Sequence, residues 1–89
     1  MGIFKRVQSR LDKSGDLVFG MSRRLGVDLG HRVVHDPEAE ARRLRTMLFR
    51  CAQCTNQEGC AHLQDRFDTL EDAPGYCMNK RAFQDMERE

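Results

Sequence analysis

The 89-residue sequence lacks tryptophan, contains one tyrosine and two prolines, and has no long run of apolar residues. A membrane-spanning helix needs roughly 20 mostly apolar residues and a secretory signal a run of roughly 7–15, so the sequence predicts neither. We therefore expect the protein to be cytoplasmic, where thiols are kept reduced. In that compartment, clustered cysteines are more typical of metal ligands or redox groups than of structural disulfides.

Alternating apolar and polar runs rich in β-branched residues are also absent, which argues against strands. Apolar residues recur at helical spacing instead. In the first half, this pattern predicts helices over residues 3–13 and 16–25, with a break at Ser14-Gly15-Asp16. Gly26 and Gly30 bracket a predicted turn, and a linker is expected to follow it.

The second half contains the clearer helix-start signals. Asp36 suits an N-cap and Pro37 suits the first helical position of a third helix. The segment Thr55-Asn56-Gln57-Glu58 has the pattern of a capping box and predicts the start of a fourth helix. A last helix is predicted from about Met78 or Asn79 to the end.

The net charge is small but unevenly distributed. Residues 1–50 carry eleven Lys/Arg and six Asp/Glu, giving +5, whereas residues 51–89 carry four and eight, giving −4. We predict an all-α fold of four to five short helices around a four-cysteine metal centre. Within one compact domain, residues 1–35 would form a basic helical arm and residues 36–89 the four-cysteine unit. A chain of this size buries little core, so a metal would supply much of its stability.

The four cysteines, Cys51, Cys54, Cys60 and Cys77, follow the spacing Cys-x2-Cys-x5-Cys-x16-Cys. Cys51 and Cys54 fall at the end of the third predicted helix, Cys60 in the first turn of the fourth, and Cys77 just before the last. Helix N-termini stabilise thiolates, so we expect a lowered pKa for Cys60 and Cys77, which would favour metal binding. We predict that all four cysteines are ligands of one metal centre.

Three interpretations are compatible with this spacing. A 4Fe-4S cluster takes four thiolates, and it is favoured because three ligands are bunched and the fourth is distant. One structural Zn²⁺ is the alternative, although zinc folds more often carry two Cys-x2-Cys pairs, each followed by glycine, where this chain has Thr55. The third is a metal-free dithiol at Cys51 and Cys54, but a thioredoxin-like motif would need a βαβ context.

Several short segments are shared with a known family: Leu25-Gly26-Val27-Asp28-Leu29, Arg50-Cys51-x-x-Cys54, Cys60-x-x-Leu63, Ala73-Pro74-Gly75-Tyr76-Cys77-x-Asn79 and Phe83. On these segments the chain resembles a family of small uncharacterised bacterial proteins that form a domain of unknown function. The resemblance implies that the four cysteines act as one unit, and it implies no activity. The Cys-x2-Cys-x5-Cys segment also resembles the iron–sulfur loop of endonuclease III-type glycosylases, whose fourth ligand lies upstream instead.

The three histidines are weaker candidates. His31 and His35 are four residues apart and could pair on zinc, but the flanking Gly30 and Asp36-Pro37 favour two surface histidines in a linker. His62 lies two residues after Cys60, and we expect it to be exposed or to lie behind a ligand rather than to replace one.

Other binding modes are less favoured than a protein partner. The basic first helix, with Ile3, Phe4, Val7 and Leu11 as its apolar face, could contact an anionic membrane surface, but core packing is the favoured use of that face. The arginines between residues 42 and 50 do not predict a nucleic-acid site, because glutamates dilute them and no aromatic platform is interleaved.

No catalytic constellation is present in the sequence. It has no serine in a nucleophile setting and no phosphate-binding glycine loop, and a metal with four protein ligands has no open position for substrate. We therefore do not expect an enzyme. The sequence predicts a small metal-binding protein that holds a 4Fe-4S cluster and acts as a redox or oxygen-sensitive accessory. The alternative is a structural-zinc adaptor that mediates protein–protein interaction.

Overall fold

The computed structural model describes the backbone of residues 2–88 and the side chains of residues 10–88. Within this range the chain forms five helices and no strand, which confirms the all-α prediction. None of these helices combines the length and the apolarity that crossing a membrane requires. The helices are α1 (Gly2–Leu25), α2 (Leu29–His35), α3 (Pro37–Ala52), α4 (Gln57–Arg66) and α5 (Lys80–Arg88).

The first helix differs from the sequence prediction. The expected break at Ser14-Gly15-Asp16 is wrong, because α1 runs through it without interruption. The Ser14 hydroxyl, which is fully buried, donates to the Leu48 carbonyl of α3 at 2.7 Å. This tertiary contact and the burial of neighbouring apolar residues outweigh the cost of about 1 kcal/mol for a glycine inside a helix. The predicted apolar residues Ile3, Phe4 and Val7 lie outside the described side chains.

The end of α1 is a glycine turn that leads directly into a second helix. Gly26 adopts a positive φ of 80°, and the Val27 amide donates to the Ser22 carbonyl at 2.8 Å, as in a Schellman motif. The Asp28 carboxylate then caps α2 by accepting from the His31 amide at 3.0 Å. The prediction that His31 and His35 lie in a linker is therefore wrong, and the Asp28 cap explains why a helix forms there.

The remaining helix starts follow local capping chemistry. Asp36 caps α3 as predicted, its carboxylate accepting from the amide three residues on at 3.4 Å. The cap of α4 is Asn56 rather than Thr55, and its side chain accepts from the Gly59 amide at 3.1 Å. The last helix begins at Lys80, one or two residues later than predicted.

The core is shared by all the helices. Helix α1 packs against α3 and α4, and α2 packs against α3. The division between residues 1–35 and 36–89 stays a prediction, but the core draws on both ranges. The buried apolar residues are Leu17, Val18, Met21, Val27, Leu29, Met47, Cys60, Ala73, Phe83 and Met86.

Candidate metal centre

The fold places the four cysteines on three neighbouring segments. Cys51 lies in the last turn of α3 and Cys54 in the turn that follows it. Cys60 is the fourth residue of α4, and Cys77 lies in the loop before α5. These are the positions that the sequence predicted. All four are free thiols, with Cys54 and Cys60 buried and the other two partly buried.

The four thiols line a single pocket, although the first and the last are 26 positions apart in the sequence. The pocket leaves a cavity of about 20 Å³. Its wall is largely apolar and comes from both halves of the chain. The other lining residues are Leu17, Val18, Met21, Gln57, Tyr76, Met78, Asn79 and Phe83.

Burial governs the protonation of these thiols. The pKa of Cys51 is raised to about 11, mainly by desolvation. The Ser14 hydroxyl lowers this pKa and the nearby Cys60, Cys54 and Cys77 raise it, each by less than desolvation does. Desolvation also raises the pKa of Cys60 and of Cys77. The expectation that these two pKa values are lowered is wrong, because desolvation raises them by more than the hydrogen bonds from Gln64 and Asn79 lower them. The metal-free thiols of Cys51, Cys60 and Cys77 are therefore neutral near pH 7, and a metal must displace their protons.

Two of the sulfurs face backbone amides two residues further along the chain. The Asn56 amide donates to the Cys54 sulfur at 3.4 Å. The Asn79 amide donates to the Cys77 sulfur in the same relation. The bond from Asn79 lowers the pKa of Cys77, although desolvation raises that pKa by more.

The other two sulfurs face side chains from elsewhere in the fold. The Gln64 amide donates to the Cys60 sulfur at 3.4 Å and to the Leu17 carbonyl at 2.9 Å. The Ser14 hydroxyl lies within hydrogen-bonding reach of the Cys51 sulfur, but its single proton is donated to the Leu48 carbonyl. Three of the four sulfurs, those of Cys54, Cys60 and Cys77, therefore accept a hydrogen bond from an amide.

A family comparison covers nearly the whole chain. The model of a family of unknown function, DUF6455, matches residues 5–89. The chain belongs to the DUF6455 family. No curated protein and no solved structure matches it, and the resemblance to the glycosylase iron–sulfur loop is not shown by these comparisons. The family match supports the expected uncharacterised family and assigns no chemistry to it.

In this DUF6455 protein, α1 also fixes the backbone that carries the first two cysteines. The Arg10 guanidinium donates to the Ala52 carbonyl at 2.9 Å and to the Cys54 carbonyl at 3.3 Å. The Gln57 amide donates to the Cys51 carbonyl at 2.8 Å. These bonds satisfy carbonyls at the end of α3 that have no partner within the helix. They hold the turn between the two cysteines against α1 and α4.

The helix that carries Cys60 is held in the same way. The Arg24 guanidinium donates to the Gln64 carbonyl at 2.6 Å and to the Phe67 carbonyl at 2.8 Å, and so caps the C-terminal end of α4. The Leu70 amide in turn donates to the Arg24 carbonyl at 2.9 Å.

Asn79 closes the pocket beside Cys77. Its side chain is 2% exposed, and its amide nitrogen donates to the Met47 carbonyl of α3 at 2.8 Å. Among the described residues, none donates a hydrogen bond to its side-chain oxygen Oδ1. Asn79 therefore joins the Cys77 segment to α3 and places an unpaired acceptor in a buried position.

The sequence missed the residues that support the cysteines. Arg10 and Ser14 bond carbonyls 42 and 34 positions away, so no local pattern marks them. Gln57 and Gln64 lie only six and four residues after Cys51 and Cys60, but the sequence prediction did not single them out. His62 is exposed and does not line the pocket, and His31 and His35 do not line it either. Within the described side chains, no group of three or more His, Cys, Asp or Glu is drawn together closely enough to hold a metal ion.

Proposed function

We propose that this protein holds a metal centre through Cys51, Cys54, Cys60 and Cys77 and acts as an accessory protein rather than as an enzyme. The first candidate for the centre is a 4Fe-4S cluster with a redox or oxygen-sensing role. One observation carries the proposal: four thiols from three segments line one largely apolar pocket, and three of the sulfurs accept a hydrogen bond from an amide.

The chemistry of this donor set suits iron–sulfur ligation. Thiolates are soft ligands that select zinc, copper(I) and iron–sulfur clusters over hard cations. Hydrogen bonds to the sulfurs, together with burial, are the main means by which a protein tunes the potential of a cluster. The apolar wall formed by Leu17, Val18 and Met21 would limit the access of water to a cluster in this pocket. A centre with four protein ligands has no free position for substrate, which supports a non-catalytic role.

The second candidate is one structural Zn²⁺ in an adaptor that binds another protein. The size of the cavity favours it. A space of about 20 Å³ accommodates roughly one water-sized particle, and hence one ion, whereas a cluster would require the cysteine-bearing segments to move apart. With zinc, the sulfurs would close to roughly 2.3 Å from the ion. Under either candidate we propose a protein partner, which would exchange electrons with a cluster or bind the zinc-stabilised surface.

The experiment combines spectroscopy with metal counting. We would purify the protein without oxygen, record its absorption spectrum, and count iron, sulfide and zinc in the same sample. A broad shoulder near roughly 400 nm with about four irons per chain supports the cluster. A featureless visible spectrum with about one zinc per chain supports the adaptor.

A neighbouring pair of variants provides the matched control. Cys77→Ser removes a proposed ligand, whereas Gly75→Ser introduces the same residue two positions earlier, outside the pocket, where an added Cβ meets nothing within 4 Å. We expect Cys77→Ser to lose most of the metal and Gly75→Ser to retain it. A folded wild-type protein that contains neither metal, or a Cys77→Ser variant with full metal content, would show that the four-ligand model is wrong.

A further inference from the structure

The two histidines of α2 lie side by side on its surface. His31 and His35 are one helical turn apart, and both side chains are exposed. Their ring centroids are 4.3 Å apart, with an interplanar angle of 59°. Neither residue lines the cysteine pocket. This pair is therefore a cluster of metal-ligating side chains that the proposed function does not use.

We propose that His31 and His35 form a second metal site, for an exchangeable divalent first-row ion such as Zn²⁺, Ni²⁺ or Cu²⁺. Neutral imidazole nitrogens are good ligands for these ions, at roughly 2.0–2.1 Å in the case of zinc. Two histidines at i and i+4 on one helix face present their nitrogens to the same ion, as in helical zinc-binding motifs. Water would complete the coordination, so this site is weaker and faster to exchange than a four-thiolate centre.

The surrounding residues hold α2 in the conformation that the site needs. A helix of seven residues is marginal on its own, so the geometry of the pair depends on its ends. Asp28 caps the N-terminal end, and the Asp36 amide donates to the Arg32 carbonyl at 3.0 Å at the C-terminal end. Because the helix is already formed, a metal would not have to order it, and little binding energy is lost.

The electrostatics of α2 are compatible with a cation. Arg32 is the basic residue between the two histidines in sequence, and it forms an ion pair with Glu40 of α3 at 3.4 Å. Both partners are largely buried, so the guanidinium is directed towards α3 rather than to the exposed histidine pair. Its charge is thereby offset by a carboxylate, which limits its repulsion of a bound ion.

A bound ion would join the two turns of α2 and stabilise the fold by mass action. The experiment is a Ni²⁺ titration of the protein as purified, followed by thermal melting, with the metal in the cysteine site counted before and after. At free Ni²⁺ about five times its Kd, the folding constant should rise about sixfold and Tm by about 4–8 °C. His31→Gln and His35→Gln should each lose this shift. His62→Gln is the matched control, because it removes the third, exposed histidine from α4, and it should keep the shift.

A measurement on the unmodified protein makes the test independent of the variants. Ni²⁺ bound at this site is close to both rings, so it should selectively shift or broaden the NMR signals of His31 and His35 and leave those of His62 unchanged. Equal Tm shifts in all three variants, or no selective effect on these two rings up to millimolar Ni²⁺, would overturn the proposal. A Tm shift accompanied by loss of metal from the cysteine site would also count against it.

Discussion

Gly20 of α1 provides a sharp test of how the pocket is supported. A Cβ added at Gly20 would collide with the side-chain oxygen of Gln64 and lie 3.1 Å from its carboxamide carbon. Gln64 is 8% exposed, so it has little free space into which it can retreat. Its amide group bonds the Cys60 sulfur and the Leu17 carbonyl. Gly20→Ala should therefore displace the one side chain that donates to Cys60.

The magnitude follows from opposing terms. Replacing glycine by alanine inside a helix gains about 1 kcal/mol. Overpacking typically costs about 1–3 kcal/mol, and leaving a buried amide unsatisfied costs about 1–3 kcal/mol more. The net result for Gly20→Ala is a destabilisation of about 1–5 kcal/mol. Gly15→Ala lies in the same helix with nothing within 4 Å of its added Cβ, so it should stabilise by about 0.5–1 kcal/mol.

The assay is urea unfolding of both variants at fixed metal content. The same substitution is then made in a Gln64→Ala protein to isolate the contact between position 20 and Gln64. In a Gln64→Ala protein the collision is absent, so adding Gly20→Ala should no longer destabilise and should approach the gain seen at Gly15. The double-mutant cycle then gives the coupling between the two positions. If Gly20→Ala is as stable as Gly15→Ala in the wild-type background, the assigned packing of α1 on Gln64 is incorrect.

Three further predictions concern Cys51, Asp72 and Arg10. With a pKa of about 11, roughly one Cys51 thiol in 10⁴ is ionised at pH 7 in the metal-free protein. A thiol-reactive dye should therefore label Cys51 slowly until urea unfolds the protein and exposes the thiol. Desolvation would raise the pKa of the exposed Asp72 carboxyl, but bonds from Lys80 and Gln84 outweigh it and lower that pKa. The ionised Asp72 should therefore stabilise the fold fully above its pKa in the unfolded chain, and this contribution should be lost as pH falls through its lower pKa in the folded protein. In Asp72→Asn, acid unfolding should lack this pH-dependent loss of stability. Arg10→Ala should cost about 1–2 kcal/mol in urea unfolding, and an unchanged midpoint would exclude its anchoring role.

The sequence predicted the elements whose ends depend on neighbouring residues. Asp36 with Pro37 marked the start of α3 correctly, and the starts of α4 and α5 were placed within two residues. The prediction failed at residues 14–16, where glycine and serine suggested a break. The hydroxyl of Ser14 is bonded to a carbonyl 34 positions away, and no local pattern contains that information. Helix α2 was also not predicted, because Asp28 was assigned to a turn rather than to a helix cap.

The same distinction applies to the candidate site. The spacing of the cysteines identified four residues that line one pocket, because three of them are close in sequence and the fourth precedes a predicted helix. The partners of the sulfurs divide into two kinds. The amides of Asn56 and Asn79 and the side chain of Gln64 follow their cysteines by two to four residues and are local. The Ser14 hydroxyl and the Leu17 carbonyl that orients Gln64 reach the site only through the packing of α1 on α3 and α4.

This division bears on what α1 contributes to a metal centre. The cysteines all lie between residues 51 and 77, so the ligands alone would not require the first helix. Yet α1 supplies three apolar residues of the pocket wall, the Ser14 hydroxyl and the Arg10 bonds that hold the turn after α3. It also supplies the Leu17 carbonyl that orients Gln64 towards Cys60. The basic N-terminal segment is therefore part of the surroundings that would tune the centre. A change in the packing of α1 would alter the hydrogen bonds around the sulfurs as well as the exposure of the sulfurs to solvent.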